Sequence, residues 1–120
     1  MEVSREIDFL VAGHTHLERA LKRSKGPGYY FNSGTWARLI RIDPAMRTDP
    51  IKFKSVFDTL KDGSMTKLDA HQGLVTKHCT VVAIFRNGEN SAIGKLQHVK
   101  NNGTATALED VPNTQFERSN

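Results

Sequence analysis

Two histidines one residue apart are the residues of this sequence best placed to do chemistry. His14 and His16 follow an apolar run, residues 9–12, and Gly13 separates that run from the first histidine. Residues i and i+2 of extended backbone point the same way, and a glycine after a strand permits a tight turn. Imidazole nitrogens suit zinc, iron, manganese or nickel, so the pair is a candidate metal site.

A second block of residues extends this pattern into a resemblance. Residues 9–16, Phe-Leu-Val-Ala-Gly-His-Thr-His, are followed after a basic loop by residues 29–36, Tyr-Tyr-Phe-Asn-Ser-Gly-Thr-Trp. Together they resemble the last metal-binding block of calcineurin-like metallophosphoesterases, a Gly-His-x-His loop followed by an Asn-Pro-Gly-Ser-like strand end. In this sequence Ser33 stands where the more usual pattern has proline.

The resemblance implies a role for each residue of the two blocks. His14 would ligate one metal ion and His16 a second, and Gly13 would let the loop approach them closely. The metals of that family bridge a water or hydroxide that attacks phosphorus. Three further residues are expected to support the loop from behind: Asn32, Ser33 and Gly34.

Two histidines do not complete such a site, because catalytic metal centres use at least three protein ligands. The sequence has no Gly-Asp-x-x-Asp and no Gly-Asn-His-Asp/Glu block, and Asp69-Ala70-His71, which matches Asp-x-His, lies in a helical pattern and is interpreted as coincidence. The expected function is therefore the C-terminal part of a hydrolase acting on phosphomonoesters or phosphodiesters, inactive alone. An N-terminal partner chain or further upstream blocks would complete its divalent metal site, with Mn, Zn, Fe and Ni left open.

Two alternatives come from other classes of protein. One is a non-catalytic interaction module that kept part of the fold and lost the chemistry. The other, less supported, is a small basic nucleic-acid binder, since the net charge of +4 is moderate and scattered. Arg38 is a candidate for contacting substrate phosphate, although exposed arginines are common on half-buried strands.

The elements that position these residues predict an α/β protein, α+β in this fragment. The resemblance implies that these elements form the C-terminal part of a metallophosphoesterase-like β-sandwich with flanking helices, ending in an antiparallel hairpin. Within a segment spanning residues 1–100, the pattern predicts four parts: a strand and histidine loop over 7–16, strands over 29–42, helices over 50–70 and a hairpin over 74–99. The polar residues 101–120 are expected to form a disordered tail.

Local signals refine several of these elements. Residues 17–21 could form one helical turn, and alternation over residues 36–42 assigns Trp36, Leu39, Ile40 and Ile42 to the core. Asp49 is expected to cap a helix with Pro50 at its first position, Gly63 to end it, and Ser64 to cap the next. The apolar stripe of the first helix is expected to face the core: Phe53, Val56, Phe57 and Leu60.

Asn87-Gly88 marks the turn of the predicted hairpin. His78 and His98 could face each other across it, but no carboxylate or third histidine is near them in sequence. They are therefore interpreted as ordinary polar strand residues.

Composition limits the class of protein. The chain has 120 residues, of which 38% are hydrophobic and 25% charged, and no apolar run is long enough to span a bilayer. Residues 1–6 are charged and lack the apolar region of a signal peptide, and Cys79 is the single cysteine. These features predict a soluble, cytoplasmic protein that does not bind membranes.

Overall fold

The described chain divides into a discontinuous unit built of strands and a continuous unit that contains the short helices. The structure is a computed structural model that describes residues 4 and 6–119, so most of the charged start discussed above lies outside the described residues. One unit consists of Met1–Trp36 with His78–Asn120, and the other of Ala37–Lys77. The predicted α+β class is confirmed.

The elements follow the order β1, β2, β3, β4, α1, α2, α3, β5, β6, β7, β8, β9. Their bounds are β1 Phe9–Ala12, β2 Arg19–Lys22, β3 Tyr29–Asn32, β4 Leu39–Ile40, α1 Pro44–Thr48, α2 Pro50–Asp62, α3 Met65–Ala70, β5 Val75–Thr76, β6 Thr80–Arg86, β7 Ser91–Asn101, β8 Thr106–Asp110 and β9 Phe116–Ser119. In the described part of the chain, no helix is long and apolar enough to cross a membrane.

The first sheet of the discontinuous unit contains three strands in the order β1-β3-β2. β1 runs parallel to β3, and β2 runs antiparallel to it. The expectation of a helical turn over residues 17–21 is wrong, because residues 19–22 pair with β3 instead. A single helical turn is marginal by itself, whereas the backbone of a strand is satisfied by its neighbour.

The second sheet is built around the long strand β7, which pairs antiparallel with β6, β8 and β9. The predicted hairpin is confirmed for β6 and β7, but residues 75–76 form the separate strand β5. Asn87 N–H donates to Ser91 O at 2.8 Å, which closes the hairpin after the predicted Asn-Gly signal.

The expectation that residues 101–120 form a disordered tail is wrong for the part that the structure describes. These residues supply β8 and β9, and the Thr114 side chain between them is buried. The ring of Phe116 stacks on Tyr29 with centroids 4.4 Å apart. Pairing with β7 stabilises this polar segment through backbone hydrogen bonds, which composition does not reveal.

An aromatic cluster joins the two sheets of this unit. Phe31 on β3 is fully buried, and a Cβ built on Gly94 of β7 would lie 2.7 Å from its ring. Gly94 is therefore required by the close approach of the two sheets. Leu96, two residues further along β7, is also buried.

The continuous unit, Ala37–Lys77, contains the three helices and the antiparallel pair β4-β5. Its predicted helix signals are confirmed. Asp49 Oδ1 accepts from Ile51 N–H at 2.9 Å with Pro50 in the first turn, Gly63 ends α2 at φ 70°, and Ser64 caps α3. A further short helix, α1, precedes α2 and is capped by the Asp43 side chain.

The predicted core of residues 36–60 is wrong at most positions. Val56 is buried with Leu68 and Leu74, but the strand shrinks to two residues and only part of the helix stripe is covered. A unit of this size has too little chain to cover every apolar side chain. The expected core residues that are exposed are Trp36, Ile40, Ile42, Phe53 and Phe57.

Candidate functional site

The histidine loop follows the carboxyl end of β1, where the sequence predicts it. β1 ends at Ala12, and the next residues leave the sheet. His14 has φ 79°, an uncommon left-handed conformation for a residue other than glycine. Both His14 and His16 are exposed to solvent. Their rings are therefore accessible to a ligand.

The Asn-Ser-Gly block meets the histidine loop at the same edge of the sheet. In the parallel register of β1 and β3, Ala12 lies beside Asn32. The Asn32 side chain is fully buried, and its Nδ2 donates to the Gly13 carbonyl oxygen at 3.3 Å. Its Oδ1 accepts from Gly34 N–H at 2.8 Å. One amide thus ties the two blocks together.

Gly34 lies close to the backbone at the end of the histidine loop. It has φ 71°, and a Cβ at this position would lie 3.0 Å from Glu18 N and 3.1 Å from His16 O. Ser33 beside it is half-buried. The contacts of Asn32 and Gly34 hold the backbone of the loop, while a role for these residues behind a metal site stays a prediction.

An open cavity of about 390 Å³ lies beside His16. The basic side chain of Arg19 contributes to its wall. The cavity is lined by Thr15, His16, Leu17, Arg19, Leu21 and Tyr30.

A second group of potential ligands lies in the same unit, and it does not include His14 or His16. The potential ligand atoms of Glu18, His78 and His98 all lie within 4.8 Å of one another. Among the described residues, this is the group of three or more metal-binding side chains that the fold brings together. We refer to these three residues as the Glu-His-His cluster.

Three separate parts of the unit position the cluster. Glu18 lies just before β2, His78 lies before the start of β6, and His98 is on β7 opposite Thr80 in the antiparallel register. Val99 N–H donates to Cys79 O at 2.7 Å, extending the pairing of β7 toward His78. The cluster therefore depends on pairing between strands that are distant in sequence.

The cluster is held by contacts between its own side chains. His98 Nε2 lies 2.9 Å from Glu18 Oε2 and 3.0 Å from Oε1. Because a carboxylate only accepts, this nitrogen donates. The buried hydroxyl of Thr80 donates to the same carboxylate. The ring centroids of His78 and His98 lie 4.5 Å apart.

These contacts decide the charge of the glutamate. Burial raises the pKa of Glu18. The hydrogen bonds from Thr80 and His98, together with the electrostatic effect of the two histidines, lower this pKa by more than burial raises it. The net pKa lies below the ordinary value of 4.5. Glu18 is therefore a carboxylate at neutral pH.

Comparison with known proteins adds nothing to this geometry. No family model, curated protein or solved structure matches the chain.

Arg38 lies in the continuous unit, where it has a carboxylate partner. Its Nε lies 3.2 Å from Asp69 Oδ1, and Lys77 Nζ lies 2.5 Å from Oδ2 of the same residue. These contacts give no support to the predicted phosphate role of Arg38. Asp69 is likewise engaged by cations, as expected if its match to Asp-x-His is a coincidence.

Sequence patterns do not reveal Glu18 as a candidate ligand, and they indicate ordinary strand residues at His78 and His98. The prediction that His78 and His98 could face each other is correct. The carboxylate beside them comes from Glu18, which is distant from both histidines in sequence. No local spacing signals this grouping. The available signal was weaker: both histidines lie within the predicted hairpin, near the open ends of its two strands, where they could face each other.

Proposed function

We propose that this chain forms the C-terminal part of a calcineurin-like metallophosphoesterase domain, in which His14 and His16 supply the last ligand pair of a dinuclear metal site. The observation that carries the proposal is the hydrogen bond from buried Asn32 to Gly13 O. It joins the two blocks on which the resemblance rests, at the carboxyl edge of a parallel strand pair. The finer β-sandwich architecture of that family is part of the same proposal.

The donor chemistry of the loop fits part of such a site. Two accessible imidazoles suit Zn, Mn, Fe or Ni, but two ligands leave a catalytic centre incomplete. Under the proposal, residues outside this sequence supply bridging carboxylates, from an N-terminal partner chain or from upstream blocks. The bound metals would supply an activated water and neutralise charge developing on the phosphoryl group.

The chain's own residues would orient the ligands and attract the substrate. Asn32 fixes the Gly13 carbonyl, and Gly34 packs against the backbone at His16. Arg19, on the wall of the cavity beside His16, would favour a phosphorylated small molecule or a phosphodiester. Nucleic acid and membranes are not part of the proposed substrates, and a cytoplasmic location stays a prediction.

The test is complementation with the missing ligand blocks. The 120-residue chain alone should not hydrolyse bis(p-nitrophenyl) phosphate with Mn²⁺, and should gain activity when a segment carrying the Asp-x-His and Gly-Asp-x-x-Asp blocks is supplied. His14→Ala should reduce that activity by at least about 100-fold, since even residues behind metal ligands cost 10–100-fold. Ser24→Ala, at an exposed residue outside the histidine loop and the cavity, is the control and should retain it.

Equal activity of wild type and His14→Ala would overturn the proposal. A well-folded chain that gains no activity and is indifferent to chelator would instead identify the interaction module. Binding to DNA that weakens steeply with salt would identify the nucleic-acid binder.

A further inference from the structure

We infer that the Glu-His-His cluster is a second metal site, separate from the histidine loop, for an ion of the zinc class. Glu18, His78 and His98 bring two imidazoles and one carboxylate to within 4.8 Å of one another. None of the three belongs to the ligand pair of the proposed phosphoesterase site. The inference therefore stands independently of the proposed function.

The distances between His98 Nε2 and the Glu18 oxygens are close to those between two ligands of one ion. Zinc bonds of about 2.0–2.1 Å at tetrahedral angles place two ligand atoms about 3.3 Å apart. His98 Nε2 lies 2.9 Å and 3.0 Å from the two Glu18 oxygens. All three groups lie within 4.8 Å of one another, and ion binding at His98 Nε2 would release to solvent the proton that this nitrogen donates to Glu18.

The types of ligand select the metal. Two histidines and a glutamate are one of the three-ligand sets that hold zinc in enzymes while leaving a fourth position for water or substrate. Calcium and magnesium prefer oxygen ligands throughout. His78 is exposed, so an ion can enter from solvent on its side of the cluster.

The surroundings of Glu18 support the ligand role. Metal-binding carboxylates are normally oriented by a further hydrogen bond. The Thr80 hydroxyl supplies one, and the Thr80 residue is 1% exposed. Trp36 Nε1 donates to the Thr80 carbonyl oxygen at 2.9 Å, which fixes the start of β6. The glutamate thus has a rigid, buried support.

Binding at this cluster would also stabilise the neighbouring loop. Glu18 lies two residues after His16, and its backbone nitrogen lies close to Gly34. An ion joining Glu18 to His98 would tie the end of the histidine loop to β7. The metal would then act on the loop through its backbone, while its own open position stays available to a ligand.

The test measures zinc binding without contribution from the histidine loop. In a His14→Ala/His16→Ala background, calorimetric titration with Zn²⁺ should still show one bound ion per chain, and zinc should raise the thermal midpoint. Adding His78→Ala or Glu18→Gln should weaken binding by at least about 100-fold, because one of three ligands is lost. Adding His71→Ala, a histidine of the other unit, should change affinity less than about threefold.

Folding is checked separately from binding. His78 is exposed, so the His78→Ala chain should keep the circular dichroism spectrum and the chelator-treated thermal midpoint of its background. Co²⁺ in place of Zn²⁺ should give the intense visible absorption of four-coordinate cobalt, and His78→Ala should abolish it.

Two results would overturn the inference. One is a background chain that binds no zinc, which would assign any zinc bound by the wild type to His14 and His16. The other is an unchanged zinc affinity in the folded His78→Ala chain. Neither result bears on phosphodiester hydrolysis, so failure here is distinguishable from failure of the proposed function.

Discussion

The histidine loop and the Glu-His-His cluster lie in the same unit but are held in different ways. His14 and His16 are exposed, and the contacts of Asn32 and Gly34 act on the backbone that carries them. In the cluster, the side chains themselves are joined, with His98 bonded to Glu18. The histidine loop is therefore held through its backbone, whereas the Glu-His-His cluster is held through the side chains of Glu18 and His98.

The two kinds of contact predict different losses of side-chain freedom if each group binds an ion. A ligand pair held only through its backbone still has to lose side-chain rotational freedom on binding. In the cluster, Glu18 and His98 are already joined by a hydrogen bond, so this pair has lost part of that freedom during folding and is preorganised. Under the two proposals, the loop would depend on additional ligands, whereas the cluster would bind an ion with residues of this chain alone.

Replacing Asn32 by alanine should have the largest effect, because it removes the hold on the loop. The change removes a fully buried side chain together with its hydrogen bonds to Gly13 O and Gly34 N–H, and should cost about 2–4 kcal/mol of unfolding free energy. Urea denaturation measures this loss. Asn90→Ala, at an exposed asparagine, is the control and should change the free energy of unfolding by at most about 0.5 kcal/mol; equal losses for the two variants would show that Asn32 does not stabilise the loop.

Gly34→Ala should be the next largest, and it tests the contact between the two groups. Both Gly34 and Gly63 have positive φ, 71° and 70°, so alanine at either costs about 1–2 kcal/mol. At Gly34 the added Cβ also meets backbone atoms at 3.0 Å and 3.1 Å, whereas nothing lies within 4 Å at Gly63. Thermal unfolding should show Gly34→Ala to be less stable by about 1 kcal/mol more. A larger loss for Gly63→Ala would contradict this contact.

The side-chain bond within the cluster should give a smaller but measurable coupling. A double-mutant cycle of Glu18→Gln and His98→Gln in the presence of chelator should yield about 1–2 kcal/mol, because the pair is largely buried. The exposed pair Lys100–Glu109, 3.5 Å apart across β7 and β8, is the control and should give at most about 0.5 kcal/mol. If the two coupling energies agree, the cluster is not preorganised.

A surface carboxylate of the same sheet should show the smallest effect, and only in acid. Hydrogen bonds from Lys95 and Gln97 lower the pKa of Asp110 below its ordinary value of 3.8. A lowered pKa means that the stabilisation is present above pH 3.8 and is lost as pH falls through the folded-state pKa. Wild type should therefore be slightly more stable than Asp110→Asn near neutral pH, and the two denaturation curves should converge in acid. If the stabilities of wild type and Asp110→Asn instead diverged as the pH fell, the predicted direction of the Asp110 pKa shift would be wrong.

The parts of the fold that were predictable have signals within a few residues. Asp49 with Pro50 caps α2 and Gly63 ends it, because helix caps are local hydrogen bonds. Asn87-Gly88 marks the hairpin for the same reason. The position of the histidine loop at a strand end also follows from a short apolar run bounded by glycine.

The parts that were missed depend on residues far away in the chain. The polar segment of β9 becomes ordered because it pairs with β7 and because Phe116 stacks on Tyr29. Glu18 becomes a candidate ligand because sheet pairing brings it to His98, 80 residues later. Neither relation leaves a periodic pattern in the sequence, so composition and spacing could not reveal them.

The interruption of the first unit by residues 37–77 has a consequence for the order of events during protein synthesis. Asn32 follows Gly13 by 19 residues, so the support of the loop emerges from the ribosome soon after the loop itself. His98 follows Glu18 by 80 residues, a delay of about 4–16 s at 5–20 residues per second. During that interval the nascent chain carries the histidine loop without the Glu-His-His cluster.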